Sequence, residues 1–379
     1  MDLDIAIGAE LGRRALLKGL LGGAAMLGSS ALLGACGTSS SGTSSPSGSS
    51  LDSSSAGTSS TGSSSSAGSS GSSAATASLS YQFSWLKLEQ FNGYFVADAK
   101  GYFSQEKVNA TLTAGGPNIS ASQVVAGGRA DLGDEDNITL LQAQAKGLPL
   151  VAFATVFQKS PYSCISKADK PIHTLRDFAG KTIAIDTAGR AQLEPALKTA
   201  GITGVNIVPA GPDPTQLVTG QADGYFGYST SQGVALEQKG LKVVYAFVAD
   251  LGFGGYNNVL MTTKDTLDKR HDDLVRFLRA AIMGYEFAAK DPDYAAGLTV
   301  DKYGPPGANL TTEKAVARAQ LPLITTSKGP MWIETSRMQA IIDQQVKAGT
   351  IKKALQASDV MTTSVLDAAY GGKTSLLGA

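Results

Sequence analysis

Residues 127–161 decide the fold, and they read GGRADLGDEDNITLLQAQAKGLPLVAFATVFQKSP. A short apolar segment runs into an acidic turn at residues 134–137, which can cap a following helix that ends at Gly147. A continuous apolar run at residues 150–157 comes next, and apolar runs separated by a helix predict a buried parallel sheet. In such sheets small ligands lie at the turns that leave the carboxyl ends of strands. We therefore expect residues 134–137 and 158–161 to form two lips of one cleft.

Residues 1–36 predict an export signal with a lipid-attachment site. A basic segment containing Arg13 and Arg14 precedes an apolar run at residues 19–33, which is too short and too rich in glycine for a membrane-spanning helix. The small residues before Cys36 resemble the lipobox of bacterial lipoproteins, in which the cysteine is acylated. We expect export by the twin-arginine or the general route, followed by lipid anchoring through Cys36 to the outer face of the bacterial cell membrane.

Residues 37–78 predict a disordered tether, because they are almost entirely Ser, Gly, Thr and Ala with a single charge at Asp52. Such a composition buries too little apolar surface to fold. A flexible coil of this length spans roughly 35 Å, so the tether would let a folded domain move near the membrane surface. The chain that follows is about 300 residues long, which is enough for two lobes.

The composition of the whole chain excludes some function classes. Lysine and arginine together number 32, and so do aspartate and glutamate, which argues against a nucleic-acid partner. With Cys36 assigned to lipid, Cys164 has no intrachain partner and is interpreted as a buried small hydrophobe. His173 and His271 stand apart, and the sequence contains no Gly-x-Ser-x-Gly elbow, Walker loop or His-Glu-x-x-His motif. We therefore expect neither catalytic residues nor a metal ion or cofactor.

Residues 79–171 and 256–379 are predicted to form a first lobe, and residues 172–255 a second one. In both lobes short apolar strands alternate with helices, which indicates a parallel α/β architecture. The hinge between them is expected near residues 166–172 and 254–258. After the last predicted strand the pattern is helical, and these helices are predicted to pack back on the first lobe. They are predicted over residues 272–289, 311–321, 333–347 and 364–370.

Several motifs between Trp85 and Thr263 resemble, in the same order, those of solute-binding proteins of ATP-driven (ABC) importers. They are FNGYFVA at 91–97, GGP at 115–117, QVVAGGRAD at 123–131, KGLP at 146–149, FQKSP at 157–161 and GKTIAI at 180–185. They are most similar to the branch related to thiamine-pyrimidine synthases and to binders of pyrimidine precursors, alkanesulfonates and riboflavin. The resemblance implies a type II periplasmic-binding-protein fold, which is α/β with two lobes, a two-stranded hinge and C-terminal helices. It also implies a permease and an ATPase as partners. The cysteine-rich motif of the eukaryotic synthases is absent, which favours binding over synthesis.

The candidate ligand-binding residues lie at predicted strand ends and helix starts that face the cleft. Several aromatic side chains there suggest a clamp for a flat ring. The acidic residues Asp134, Glu135 and Asp136 are interpreted as helix caps that also accept a ligand N–H, with a metal site or paired carboxylates as alternatives. Arg190 could hold an anion beside a helix N-terminus or lie at the surface. The candidates are Trp85, Gln90, Tyr94, Asn118, Glu135, Asp136, Asn137, Gln158, Arg190, Tyr228 and Tyr256, and Tyr225 belongs to the same aromatic group.

Together these patterns predict a monomeric, exported lipoprotein that captures a small planar heteroaromatic compound such as a thiamine pyrimidine precursor. The ligand binds one lobe, the second lobe closes, and the closed form docks on the permease. Riboflavin is an alternative ligand, and so is a sulfonate or similar small anion if Arg190 dominates. An alternative of another class is an enzyme of pyrimidine (thiamine precursor) biosynthesis, or one that acts on a pyridoxal-like substrate.

Overall fold

The computed structural model describes residues 75–378, which form two α/β lobes. The strands are β1 (Ala77–Gln82), β2 (Val108–Thr113), β3 (Leu132–Glu135), β4 (Leu150–Phe157), β5 (Tyr162–Lys167), β6 (Thr182–Ile185), β7 (Asn206–Pro209), β8 (Gly224–Tyr228), β9 (Val243–Phe247) and β10 (Asn257–Thr263). The α-helices are α1 (Asn92–Ala99), α2 (Tyr102–Gln105), α3 (Ala121–Ala126), α4 (Asn137–Ala145), α5 (Thr187–Thr199), α6 (Thr215–Thr219), α7 (Val234–Gln238), α8 (Lys264–Lys290), α9 (Pro292–Leu298), α10 (Leu310–Ile324), α11 (Thr335–Lys347), α12 (Ala357–Val360) and α13 (Ser364–Tyr370).

Each lobe is built on one five-stranded sheet. The first sheet has the strand order β2-β1-β3-β10-β4, and the second has the order β7-β6-β8-β5-β9. In each sheet four strands point the same way, and one strand runs antiparallel to both neighbours: β10 in the first sheet and β5 in the second. Each antiparallel strand is the one that follows a crossing of the chain between lobes. The predicted fold of two α/β lobes joined by a two-stranded hinge is therefore confirmed.

The chain crosses between the lobes at residues 158–161 and returns at residues 254–256. The backbone N–H of Ser160 donates a hydrogen bond to the carbonyl oxygen of Gly255 at 3.1 Å, so the two crossings lie side by side. Two adjacent strand-like connections of this kind can bend together while each lobe stays rigid, which is the usual construction of a hinge.

The predicted first crossing at residues 166–172 is wrong. β5 pairs antiparallel with β8 and β9, so it belongs to the second lobe and the chain has already crossed before Tyr162. The boundary between the lobes therefore lies before β5, whereas the expected boundary, between residues 171 and 172, lies after it. No helix separates β4 from β5, so the alternation of strands and helices that indicates α/β units gave no signal here.

The apolar run that forms β4 is buried along its whole length, as its sequence predicts, although it lies at the edge of the first sheet. The C-terminal part of the chain covers that edge. Met361 forms a parallel bridge with Ala152, and the N–H of Thr362 donates to the Ala152 carbonyl at 2.8 Å. α12 and α13 also pack against β4. An exposed edge would offer unpaired backbone groups to other chains, and this cover removes them.

The C-terminal helices pack on the first lobe, as predicted. α8 begins at Lys264, earlier than the expected residue 272, and crosses α1 at very short range. A Cβ atom added to Gly284 would lie 1.9 Å from the carbonyl oxygen of Gly93, so this crossing requires glycine. The end of the chain returns to α8, where the buried carboxylate of Glu286 accepts a hydrogen bond from the N–H of Leu376 at 2.9 Å.

The predicted signal peptide at residues 1–36, with Cys36, lies outside the described residues, and so does most of the predicted tether at 37–78. β1 begins at Ala77, so the last two residues of the predicted tether are part of the first sheet. Within residues 75–378, no helix combines the length and the apolar character needed to cross a membrane.

Candidate functional site

A cavity of about 130 Å³ lies between the two lobes, where β1, β3, β6 and β8 end. The carboxyl ends of the parallel strands of both sheets therefore converge on it, which is the position that this topology favours for a ligand. Its lining is aromatic, acidic and amide-rich. It includes Trp85, Tyr162, Tyr225, Phe226 and Tyr228, the carboxyl groups of Glu135, Asp136 and Asp186, and the amides of Gln90, Gln192, Gln232 and Asn257.

Asp136 caps α4, as the sequence predicts. Its Oδ1 atom accepts hydrogen bonds from the backbone N–H groups of Ile138 at 2.9 Å and Thr139 at 3.2 Å. The same oxygen accepts a third bond, at 2.8 Å, from the side-chain amide of Gln192 on α5 of the second lobe. The Asp136 carboxylate, which follows β3, thus both caps α4 and joins the two lobes at the cavity.

Asp134 lies behind the cavity wall and is completely buried. Its carboxyl group accepts hydrogen bonds from the hydroxyl of Ser84 at 2.6 Å, from Tyr81 at 3.1 Å and from the amide of Asn258 at 2.5 Å. Burial raises its pKa to about 6, and these hydrogen bonds oppose the rise. Asp134 therefore holds together β1, β3 and the hinge strand β10, with Ser84 as its contact to the cavity.

Glu135 and Asp136 have pKa values above those of ordinary carboxyl groups. Burial raises the pKa of Glu135 to about 8, and the neighbouring Asp134 and Asp136 carboxylates add to the rise. Hydrogen bonds at 3.2 Å from the N–H and hydroxyl of Ser122 oppose it. Burial also raises the pKa of Asp136 to about 6. At neutral pH Glu135 can therefore hold a proton, so its carboxyl group can either donate or accept a hydrogen bond.

The second lobe repeats the arrangement of the first. Asp186 follows β6 and caps α5, because its Oδ1 atom accepts the N–H of Gly189 at 2.7 Å. The hydroxyl of Tyr162 donates to the same oxygen at 3.1 Å. A Cβ atom on Gly189 would lie 2.0 Å from the Tyr162 hydroxyl oxygen, so only glycine leaves room for this contact. Tyr225, on β8, borders the same side of the cavity.

Asn257 connects the hinge strand with both lobes. Its Oδ1 atom accepts the hydroxyl of Tyr228, from the second lobe, at 2.8 Å. Its amide group donates to Ser160 at 2.9 Å and to Asp136 at 3.3 Å. The next residue, Asn258, is buried with a φ of 48°, a conformation that asparagine tolerates better than most residues. This asparagine pair links the two lobes at the hinge.

Five of the predicted ligand-binding residues line the cavity: Trp85, Gln90, Glu135, Asp136 and Tyr228. The predicted lip at residues 158–161 does not line it, because this segment forms the first crossing. Gln158 donates its side-chain amide to the carbonyl oxygen of Trp332 and points away from the cavity.

The other predicted residues also lie outside the cavity lining. Tyr94 is completely buried in the core of the first lobe, with its hydroxyl 3.0 Å from that of Tyr81. Asn118 is exposed in a turn, and Asn137 is buried beneath the start of α4. The ring of Tyr256 packs under the guanidinium group of Arg337. Because none of them lines the cavity, its geometry does not support the contact with a ligand that the sequence predicts for them.

Arg190 does not face the cavity either. Its Nε atom lies 2.8 Å from Glu194 one turn further along α5, and both side chains are about half exposed. Within residues 75–378, the cavity lining contains no lysine, arginine or histidine. The same described residues contain no group of three or more His, Cys, Asp or Glu side chains suited to a metal ion, so the metal interpretation of residues 134–136 finds no support there.

The prediction missed Ser84, Tyr162, Asp186, Gln192 and Asn257 as cavity residues. Asp186 carried a usable signal, because it follows a predicted strand and precedes a helix just as Asp136 does. Tyr162 was hidden because β5 was not recognised. Asn257 belongs to a strand that runs opposite to its neighbours, so sequence order gives no indication that it meets the carboxyl ends of the others.

A family model described as NMT1/THI5-like matches residues 89–295, which is more than half of the chain. The chain belongs to the NMT1/THI5-like family. The match begins at Glu89 beside the cavity wall and continues through the whole second lobe into α9. The resemblance predicted from the motifs is therefore confirmed at the level of the family.

Three relatives of this NMT1/THI5-like chain carry different names. It is 23% identical over 241 residues to a 4-amino-5-hydroxymethyl-2-methylpyrimidine phosphate synthase of Schizosaccharomyces pombe, covering 58% of this chain and 67% of the relative. It is 25% identical over 222 residues to riboflavin-binding protein RibY of Chloroflexus aurantiacus, covering 56% of this chain and 62% of the relative. It is 27% identical over 210 residues to a formylaminopyrimidine-binding protein of Halalkalibacterium halodurans, covering 53% of this chain and 63% of the relative. The chain thus spans about two thirds of the length of the curated relatives it matches, and somewhat less for the two binding proteins.

Solved structures share the fold of this family member. The alkanesulfonate-binding protein SsuA from Xanthomonas axonopodis pv. citri, bound to MOPS, matches with a TM-score of 0.57 at 16% identity, over 76% of this chain and 99% of that chain. This likeness establishes the periplasmic-binding-protein fold.

Proposed function

We propose that this protein is the extracytoplasmic substrate-binding component of an ABC importer and captures a small amino-substituted heteroaromatic compound, such as a thiamine pyrimidine precursor. One observation carries the proposal: the interlobe cavity combines aromatic side chains with the carboxyl groups of Glu135, Asp136 and Asp186, and no basic side chain lines it within the described residues. Aromatic faces stack on a flat ring, and carboxyl groups accept hydrogen bonds from ring amino groups.

The cavity chemistry argues against the small-anion alternative. That alternative depended on Arg190, which pairs with Glu194 on the outside of α5. A sulfonate in this cavity would instead lie near the carboxyl groups of Asp136 and Asp186, and like charges at short range in a closed site cost several kcal/mol. The absence of a cation from the described cavity lining leaves nothing to offset that cost.

The cavity size argues against riboflavin. A volume of about 130 Å³ is close to that of a cavity of about 150 Å³ that binds one benzene ring, which suits one ring with short substituents. Riboflavin has three fused rings and a ribityl chain, so the lobes would have to separate substantially to admit it. The formylaminopyrimidine-binding relative, by contrast, is named for a one-ring ligand.

The alternative of a synthase comes from the names of some relatives. Neither histidine is part of the cavity lining: His173 is exposed on the second lobe, and His271 lies in α8 beside Asp272. Cys164 is buried in β5, where burial raises its pKa above the usual range and keeps it from acting as a thiolate. Binding without turnover is therefore the function we propose, with a permease and an ATPase as partners.

The proposed localisation rests on the N-terminal sequence. A signal peptide over residues 1–36 and acylation at Cys36 would anchor the protein at the outer face of the cell membrane, and residues 37–78 would act as a tether. A single cavity shared by the two lobes of one chain is compatible with a monomer.

Mass spectrometry of the ligand that the purified protein retains tests the proposal directly. An aminopyrimidine is the expected result, and a sulfonate, riboflavin or chemically altered ligand after incubation would refute it. Calorimetry with that ligand gives an independent test. Trp85→Ala is expected to weaken binding by about 1–3 kcal/mol through loss of an aromatic contact, whereas Arg190→Ala should leave it unchanged. Trp332→Ala, at the second tryptophan, is the matched control because it lies outside the cavity lining.

A further inference from the structure

We infer that the cavity excludes anions, because carboxylates of the protein itself occupy the N-termini of the two helices that face it, α4 and α5. The protein would therefore discriminate between an aminopyrimidine and the phosphate ester of the same compound. The choice of pyrimidine rests on the function proposed above, whereas the exclusion of anions follows from the geometry alone.

The first step concerns the two helix starts. α4 and α5 both begin at the cavity, and a helix N-terminus with free N–H groups is a ready site for phosphate or sulfonate. Asp136 occupies the start of α4 by accepting the N–H groups of Ile138 and Thr139. Asp186 occupies the start of α5 by accepting the N–H of Gly189. An incoming anion would have to displace these carboxylates or lie against them.

The second step concerns the hydroxyl groups of the lining. Ser84 donates its proton to Asp134 at 2.6 Å, and Tyr162 donates to Asp186 at 3.1 Å. Tyr225 donates to the carbonyl oxygen of Gly211 at 2.8 Å. Each of these partners is an acceptor, so each hydroxyl directs its proton into the protein. The oxygen that remains offers the cavity only lone pairs, which repel the oxygens of a phosphate group.

The third step fixes the orientation of the hinge amide. The backbone N–H of Asn258 donates to Oδ1 of Asn257 at 2.7 Å. A backbone N–H can only donate, so the atom it meets is the amide oxygen. Tyr228 donates to this same oxygen at 2.8 Å, and the amide N–H groups of Asn257 are used by Ser160 and Asp136. Asn257 therefore has no N–H left for a ligand.

Because the hydroxyl groups and the Asn257 amide already donate within the protein, the side chains of the described lining offer a ligand more acceptors than donors. Among its side chains, Gln90 and Trp85 keep donor groups without an assigned protein partner. Gln192 and Gln232 each keep one amide N–H, after bonding to Asp136 and to the carbonyl oxygen of Pro212. Glu135 adds a donor when it holds its proton. A ligand with amino groups or a protonated ring nitrogen satisfies this pattern. An oxyanion does not, because it brings only acceptors.

The test uses 4-amino-5-hydroxymethyl-2-methylpyrimidine and its phosphate ester with the full protein. In calorimetry the phosphate ester is expected to bind at least about 100-fold more weakly than the alcohol, the scale of a like-charge contact in a closed site. Equal or tighter binding of the phosphate ester would overturn the inference. If neither compound binds, the proposed function is wrong, and the inference is then decided by the anion experiment that follows.

The anion experiment uses inorganic phosphate and MOPS as probes and the thermal midpoint as the readout. Neither probe should raise the midpoint of the wild-type protein, and a rise that Asp291→Ser shares would overturn the inference. Asp186→Ser keeps a helix-capping side chain but removes the charge, so this variant is expected to gain stabilisation by phosphate. Asp136→Ser provides a second variant in case the first folds poorly.

The matched control is Asp291→Ser, which makes the same change at the cap of α9, where Asp291 accepts the N–H of Tyr294 at 3.0 Å away from the cavity. It should gain no response to phosphate. If Asp186→Ser and Asp136→Ser respond to phosphate no more than this control does, the carboxylates do not exclude anions and the inference fails.

Discussion

Replacing Glu89 with glutamine should change how the stability of the protein depends on pH. The Glu89 side chain is buried, with the residue 1% exposed, in a short 3₁₀ segment, Glu89–Phe91, that precedes α1. Its carboxyl group accepts hydrogen bonds from the amide of Asn92 at 2.7 Å and from the hydroxyl of Thr299. Burial raises the pKa of Glu89 to about 8 from an ordinary value of 4.5, and these two hydrogen bonds only partly oppose the rise.

The sign of the effect follows from the two pKa values. Between pH 4.5 and 8 the folded protein holds a proton on Glu89 that the unfolded chain has released, so the folded state loses stability as the pH rises. The loss is about 1 kcal/mol per pH unit, or about 2–3 kcal/mol between pH 5.5 and 7.5. Glutamine has almost the same shape and does not titrate, so the free energy of unfolding of Glu89→Gln lacks this dependence on pH. Carboxyl groups elsewhere contribute equally to both proteins and cancel in the comparison.

Urea denaturation at pH 5.5, 6.5 and 7.5 measures the difference in the free energy of unfolding between the variant and the wild type. This difference is expected to rise in favour of Glu89→Gln by about 2–3 kcal/mol across the range. Glu194→Gln is the control, because it makes the same chemical change on the exposed side of α5. A difference for Glu89→Gln that stays constant with pH would refute the conclusion that Glu89 is buried with its proton.

Three further predictions concern the hinge, the core and the anchor. Tyr228→Phe removes the hydrogen bond from the second lobe to Asn257 and should weaken ligand binding by about 0.5–1.5 kcal/mol in calorimetry. The control is Tyr225→Phe, whose hydroxyl donates within its own lobe, and an equal loss of binding in this variant would contradict the role of Tyr228 in linking the lobes. Gly284→Ala should lower the free energy of unfolding, measured in urea, by about 1–3 kcal/mol, because its Cβ atom would lie 1.9 Å from the carbonyl oxygen of Gly93. The control is Gly297→Ala, which has open space around it and should not destabilise the protein. Cys36→Ser should release the processed protein from the membrane fraction with ligand binding intact, and full retention in that fraction would disprove lipid anchoring.

Local sequence patterns were enough to predict the elements that build the site. The run at residues 150–157 is β4, and the acidic turn before α4 supplies a helix cap at Asp136 and a cavity carboxyl at Glu135. Apolar periodicity and capping chemistry depend on neighbours a few residues away, so one sequence reveals them. The succession of strands and helices likewise led to two α/β lobes, because each unit must cover its own sheet.

Contacts between distant residues decided which side chains reach the cavity. Trp85 and Tyr94 occupy similar loop and helix-start positions in the sequence, yet Trp85 lines the cavity and Tyr94 is enclosed by the core of the first lobe. Arg190 lies in the first turn of α5, close in sequence to the Asp186 cap, but its side chain projects outward to Glu194. The direction of a side chain depends on how its helix is rotated against the rest of the lobe, and that rotation is set by packing against residues far away in the chain.

The sequence by itself determined the family, the α/β class and the acidic edge of the first sheet, because these are carried by motifs and by short-range periodicity. Only the tertiary structure placed β5 in the second lobe, brought Asp186 near Asp136, and set Asn257 beside Asp136 as the link to Tyr228. The physical reason is that the cavity forms where two sheets and an antiparallel hinge strand meet. Its composition is therefore a property of long-range packing, and no single segment of the chain contains it.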